Sequence, residues 1–137
     1  MAEPGNEPLV TVAPEFFVRD PDAAVRFYVE KLGFSVIRQD STFAVVALGP
    51  AFVLLAGEAA VVEHKMPRAD EWLAGAPRGA GVNIRIIVDD VDAMYERCRA
   101  GGVCIVWEIA DKSYGLRDFI TADATGYLLR FAAPVAR

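Results

Sequence analysis

Several things are scarce in this chain. Histidine occurs once, at His64, and cysteine twice, at Cys98 and Cys104. The cysteine spacing matches neither a zinc site nor a redox pair, so both read as small buried hydrophobes in a reducing cytosol. Basic residues are outnumbered, 14 against 19 acidic, leaving a formal net charge of -5. That balance argues against a general nucleic-acid partner, which calls for a basic surface. The start has no basic, long apolar signal segment, and the first eight residues read as a loose polar tail. The uncharged run Phe43 to Gly57 is shorter than the ~20 residues of a membrane helix, and Gly49-Pro50 breaks it into two strands. A soluble cytoplasmic protein without membrane partners is expected. No Gly-rich phosphate loop, serine-nucleophile motif or redox motif occurs.

What is present is a grammar used twice. Phe16-Phe17-Val18 is aromatic and β-branched, as in a half-buried strand. Asp20 caps a helix, Pro21 suits its first position, and Asp22 complements the dipole. Ala24, Phe27, Tyr28 and Leu32 give one apolar face, and Gly33 can take the left-handed conformation that stops the helix. Seventy positions on, Ile84 to Val88 is a strand, Asp90 caps, Asp92-Ala93 repeats Asp22-Ala23, and Gly101-Gly102 ends the helix. Such a repeat means two similar modules. With 54% hydrophobic residues the chain has ample material for a core.

The expected elements follow. Leu9 to Val18 is a first strand interrupted by Pro14, which blocks one ladder bond and places the strand at an edge, at a bend or across to another subunit. Pro21 to Leu32 is a helix. Phe34 to Arg38, Thr42 to Leu48 and Ala51 to Ala56 form a meander. Residues 57–81 are an irregular linker or lid with a short helix at Arg68 to Leu73. Val82 to Val88, the helix Val91 to Ala100, and the strands Val103 to Ile109, Leu116 to Thr121 and Tyr127 to Ala132 make the second module, with turn chemistry at Asp123 to Gly126. The fold class is α+β: two tandem βαβββ modules forming a curved mixed sheet around a cleft. The boundaries are a disordered tail at 1–8 and one domain over 9–133, with module 1 at 9–56, a linker at 57–81 and module 2 at 82–133.

Phe17-Val18-Arg19-Asp20, Ala24 to Tyr28 and Leu32-Gly33-Phe34 together resemble the opening of the glyoxalase/bleomycin-resistance/dioxygenase superfamily, the vicinal oxygen chelate proteins. Val88 to Ala93 with Gly101-Gly102-Val103 resembles the opening of its second module. Tyr114 to Phe119, then Asp123 to Tyr127, resembles the closing hairpin of the bleomycin-resistance branch, with Tyr114 and Ala124 where that branch has tryptophan and proline. The likeness spans roughly 9 to 133. It implies paired modules and, in the drug-binding branch, a homodimer that exchanges its N-terminal strand near a proline, a place Pro14 occupies. It also implies two ligand pockets between subunits.

Enzymes of the resembled family hold a divalent metal with His, Glu or Gln. The resemblance places those ligands at Ala13, Asn83 and Arg130, and on the strand Ala51 to Ala56, which has no carboxylate. Alanine has no donor and Arg130 would repel a cation, so neither metal nor cofactor is expected. His64 would be an isolated ligand and reads as a surface residue, and Glu15 is a lone pocket or surface acid. Asp89, Asp90 and Asp92 are clustered acids, but two of them match helix-start roles, so the cluster reads as structural rather than as a calcium site. The resemblance makes Phe43 and Tyr114 aromatic walls for a planar ligand. Trp107 is pocket or core, with Trp72 and Phe52 as lesser candidates. Strand alternation puts Asn83, Arg85 and Ile87 on the ligand face. Arg85 and Arg130 either line the cleft, favouring a ligand with an acidic or acceptor-rich part, or make surface salt bridges.

Two functions remain. One is metal-independent binding of a planar or aromatic small molecule, with antibiotic sequestration as an example and no catalytic residue. The other is a lyase, isomerase or dioxygenase of the same fold with an atypical or absent metal site, in the latter case working through Glu15, Tyr114 or Asp118 at a shifted pKa.

Overall fold

The computed structural model describes residues 9–74 and 78–135. The expected tail at 1–8 lies outside the described residues. The chain divides into two units, 1–75 and 76–137.

In the first unit, β1 (Glu15–Val18) leads to α1 (Pro21–Arg26), which continues as a π-helical stretch over Phe27–Lys31. Then come β2 (Ser35–Gln39), β3 (Phe43–Leu48), β4 (Ala51–Gly57), α2 (Glu58–Glu63) and α3 (Ala69–Leu73). The sheet order is β1-β4-β3-β2, with β1 parallel to β4 and the other pairs antiparallel. The second unit repeats the plan with β5 (Asn83–Ile87), α4 (Val91–Ala100), β6 (Cys104–Asp111), β7 (Leu116–Ala122) and β8 (Leu128–Pro134). Its order is β5-β8-β7-β6, with β5 parallel to β8. The fold is α+β, with one four-stranded mixed sheet in each βαβββ module. Register shifts in β2 after Val36 and in β6 around Trp107 bend the outer strands.

The helix starts follow from local chemistry. Asp20 Oδ1 accepts from the Ala23 amide at 3.2 Å, and Asp90 Oδ1 from the Ala93 amide at 2.9 Å. Each bond satisfies an amide that the first turn leaves without an intrahelical partner. Gly33 at φ 84 and Gly102 at φ 71 carry the chain out of each helix in a conformation that disfavours a side chain.

One face of each sheet is covered by its own helix. In the first unit Val25, Tyr28, Leu32 and Phe34 are buried with Phe16, Val18, Val46, Val53 and Leu55, and the Tyr28 and Phe34 rings meet edge-on at 5.2 Å. In the second, Val91, Tyr95 and Cys98 are buried with Ile86, Phe119, Leu129 and Phe131, and Tyr95 meets Phe119 edge-on at 5.0 Å. Fully burying each large apolar side chain contributes about 1.5–3 kcal/mol, so these layers hold the modules. Strand alternation then points the other set of residues away from the helix: Glu15, Phe17 and Phe43 in one module, Arg85, Arg130 and Asp118 in the other.

Three expectations are corrected. The first strand does not begin at Leu9. It spans Glu15–Val18, because Pro14 lacks an N–H and contributes only its carbonyl, which accepts from Leu54 at 2.9 Å. Within 57–81 the short helix expected at Arg68 to Leu73 is α3 (Ala69–Leu73), but Gly57 closes β4 and a helix that was not expected, α2, follows it directly. Cys104 is exposed rather than buried, since it opens β6 on the side away from α4, whereas Cys98 is buried in the core.

Candidate functional site

Each module offers an open sheet face, and the expected site residues fall on both. Phe43 and Glu15 lie in the first module, with Asn83, Arg85, Trp107, Tyr114 and Arg130 in the second.

In the first module Phe17 and Phe43 both pair with Ala56, from opposite sides of β4. A small residue between two aromatic ones leaves a depression, and α2 with the segment behind it walls the side. The result is a cavity of about 450 Å³ lined by Glu15, Phe17, Arg38, Phe43, His64 and Met66 among others. Its rim is ordered by Asp40, whose Oδ1 accepts from the Thr42 amide at 2.8 Å and the Phe43 amide at 3.0 Å. The Thr42 amide bond, with burial opposing it, and the further bonds from Thr42, Arg38 and Phe43 hold the Asp40 carboxyl below its ordinary value. Arg38 Nη1 reaches Asp40 Oδ2 at 2.8 Å and lays its guanidinium 4.7 Å from the Phe43 ring centroid. One face of the Phe43 wall therefore carries a cation. His64 is exposed, as expected, but it stands on the cavity wall.

The second module builds a charged site. A tight turn closes where the Lys112 amide donates to Leu116 O at 2.8 Å and Gly115 takes φ 88. This turn brings Lys112 and Tyr114 back onto Asp118. The Asp118 carboxylate is fully buried; Oδ1 accepts from Lys112 Nζ at 2.5 Å and Oδ2 from the Tyr114 hydroxyl at 2.6 Å. Arg130, one strand over on β8, donates from Nη1 to the Tyr114 oxygen at 3.3 Å and lies 3.8 Å from Asp118 Oδ2. Arg85 sits beside Arg130 in the parallel β5–β8 register. Trp107 is about half exposed, with Lys112 Nζ 4.1 Å and the Arg130 guanidinium 6.0 Å from its ring centroid.

Burial alone would push the Asp118 carboxyl up. Hydrogen bonds from Lys112 and Tyr114, with the charges of Lys112 and Arg130, outweigh it and hold the group below its ordinary value. Tyr114 is raised, first by donating to Asp118, then by burial and by the carboxylate's charge, while Arg130 and Arg85 oppose the shift. Asp118 is thus a fixed anion and Tyr114 a fixed donor.

The residues at the family's ligand positions do not fit a divalent metal. Ala13 has no donor, Asn83 offers one amide, and Arg130 brings a positive charge. Among the described residues no group of three or more His, Cys, Asp or Glu stands close enough to hold an ion.

Asn83 lies at the exposed start of β5, two residues from Arg85 on the same face. Trp72, on α3, is exposed beneath the Arg68 guanidinium at 5.8 Å, away from the cavity lining. Arg38, Phe17 and Met66 belong to the cavity, and Lys112 to the charged site, though sequence reasoning singled out none of them. The alternation of Glu15 and Phe17 on one strand face was the signal available for Phe17.

The fold is similar to that of several proteins of known structure. The crystal structure of TioX from Micromonospora sp. ML1 is 24% identical, with 93% of this chain and 98% of that one covered at a TM-score of 0.67. UcmS2 is 26% identical over 88% of this chain and 94% of its own, at a TM-score of 0.70. A glyoxalase/bleomycin resistance protein/dioxygenase from Nocardioides is 23% identical over 96% and 87%, at 0.73. Against curated proteins there is no match. Residues 9–131 match a family as a whole, so the chain belongs to the Glyoxalase/Bleomycin resistance protein/Dioxygenase superfamily.

Proposed function

We propose that this protein binds a small planar or aromatic molecule without a metal and without changing it, as in antibiotic sequestration. The observation that carries this reading is the second module's open face. There Trp107 and Tyr114 are 52% and 54% exposed, yet the Tyr114 hydroxyl is fixed by a buried carboxylate and Trp107 lies against two cations. Exposed aromatic rings held in place suit stacking, because little side-chain freedom is lost on binding.

Acid–base catalysis at neutral pH finds little support in the same groups. A general acid or base works best with a pKa near the working pH. Asp118 is shifted down and Tyr114 up, both away from neutrality. The pairing that rigidifies the site also suppresses its proton chemistry.

The proposal includes a homodimer. Leu9 and Val12 are 91% and 85% exposed on the segment before β1, and a second copy is the partner suited to an apolar stretch next to a strand. It also includes a cytoplasmic setting, which suits the free thiols of Cys98 and Cys104. Among the described residues no helix is long and apolar enough to cross a membrane.

The test is a fluorescence titration, with Trp107 as reporter, against bleomycin-like glycopeptides, other planar antibiotics and aromatic acids. Each bound compound is recovered and weighed by mass spectrometry. Recovery of unchanged ligand supports the reading, and a mass change on incubation replaces it with an enzyme of the same fold.

A further inference from the structure

Two cationic side chains approach one carboxylate in the second module, and a third cation lies beside them. Lys112 is matched to Asp118 at 2.5 Å. Arg130 reaches that carboxylate only at 3.8 Å, and its Nε is buried without a hydrogen-bond partner. Arg85 is exposed beside Arg130 in the β5–β8 register, close enough that the charges of both oppose the rise in the Tyr114 pKa. Other acids nearby are engaged elsewhere. Asp111 and Asp92 both pair with Arg117. The open face therefore carries an excess of positive charge, in a chain whose net charge is -5.

We propose that Arg85 and Arg130 form an oxyanion subsite beside Trp107, so that the planar ligand carries a carboxylate or phosphate at its edge. This inference rests on the binder reading above and names its ligand class. Guanidinium groups have five donors in a fixed fork and no acceptor, which suits planar or tetrahedral oxyanions. Arg130 keeps part of that fork unused while its Nη1 is tied to Tyr114. The Trp107 ring, already next to two cations, provides the stacking surface for the flat part of such a ligand. A cationic planar ligand would meet like charge here.

The test uses three flat probes of similar shape: 2-naphthoate, 2-naphthyl phosphate and the uncharged 2-naphthamide. Binding to the full chain is followed by Trp fluorescence at low and high salt. At least one oxyanion probe is expected to bind at least tenfold tighter than the amide, with the advantage shrinking as salt is added. Which one prefers the site tells carboxylate from phosphate. Arg85→Gln, at an exposed position, is expected to abolish the advantage, and Arg85→Lys to retain part of it. Thermal melting checks that both variants fold. Equal affinity for amide and acids, or a preference that survives Arg85→Gln, overturns the subsite and leaves the binder reading standing. Failure of all three probes to bind up to millimolar concentration overturns both.

Discussion

The Tyr114 hydroxyl donates to the fully buried carboxylate of Asp118 at 2.6 Å, four residues on along the same hairpin. A half-exposed aromatic ring is thereby tethered to the interior of the sheet. Tyr114→Phe removes one charge-assisted bond and leaves the buried carboxylate short of a donor. The unfolding midpoint is expected to fall, because the carboxylate then keeps only Lys112 and the more distant Arg130 as partners. Urea unfolding at pH 7 checks it through the midpoint.

Asp118 also sets a pH dependence. Its carboxyl titrates lower in the folded protein than its ordinary value of 3.8. Its contribution to stability is therefore complete above that ordinary value and is lost as pH falls through the folded one. Lys112→Met deletes the strongest partner and should destabilise by about 2–3 kcal/mol at neutral pH, with Tyr114 and Arg130 limiting the damage. It should also raise the Asp118 pKa, so that the acid-induced loss begins at higher pH. Unfolding midpoints of both proteins, taken from neutral pH downward, show whether it does.

The two thiols should behave differently. Burial pushes the Cys98 thiol up to about 11, with only the Arg97 charge opposing it, and leaves it in the core. Cys104 is exposed. A thiol reagent at pH 8 is expected to label Cys104 quickly and Cys98 only after denaturation. Mass spectrometry of the labelled chain reads the site.

Much of the fold was legible because its signals are local. Asp20 and Asp90 announce helices one residue before they start, and α4 runs from Val91 to Ala100 as its caps imply. The turn at Asp123 also follows from local chemistry, with its carboxylate accepting from the amides of Thr125, Gly126 and Tyr127. The cavity was not legible, because it arises from pairing. Phe17 and Phe43 come to flank one depression only when both strands align on Ala56, 39 residues after Phe17 and 13 after Phe43. The Lys112–Asp118 pair depends on a turn that Gly115 closes, and a lysine six residues from an aspartate means nothing until the chain reverses. Leu9 to Val12 misled in the other direction: apolar, β-branched residues suggested a strand, and nothing in their spacing told them from an exposed segment outside the sheet.

That exposed segment bears on assembly. Light scattering is expected to give twice the 14.9 kDa chain mass, and Leu9→Asp with Val12→Asp to shift it toward the single chain. A monomer mass for the unaltered chain across micromolar dilutions would sink the dimer.

The central claim, that aromatic walls bind a planar ligand which leaves unchanged, is tested most directly by one set of dissociation constants. A ligand from the titration panel is measured by calorimetry against the unaltered chain, Trp107→Ala and Tyr114→Ala, the two rings exposed on the second module's open face. An aromatic contact is worth about 0.5–1.5 kcal/mol beyond area burial, and ~1.4 kcal/mol is one decade of affinity. Each variant is predicted to bind roughly tenfold more weakly and to release the ligand chemically intact. Equal affinity for all three proteins, or a ligand recovered with altered mass, would contradict the account.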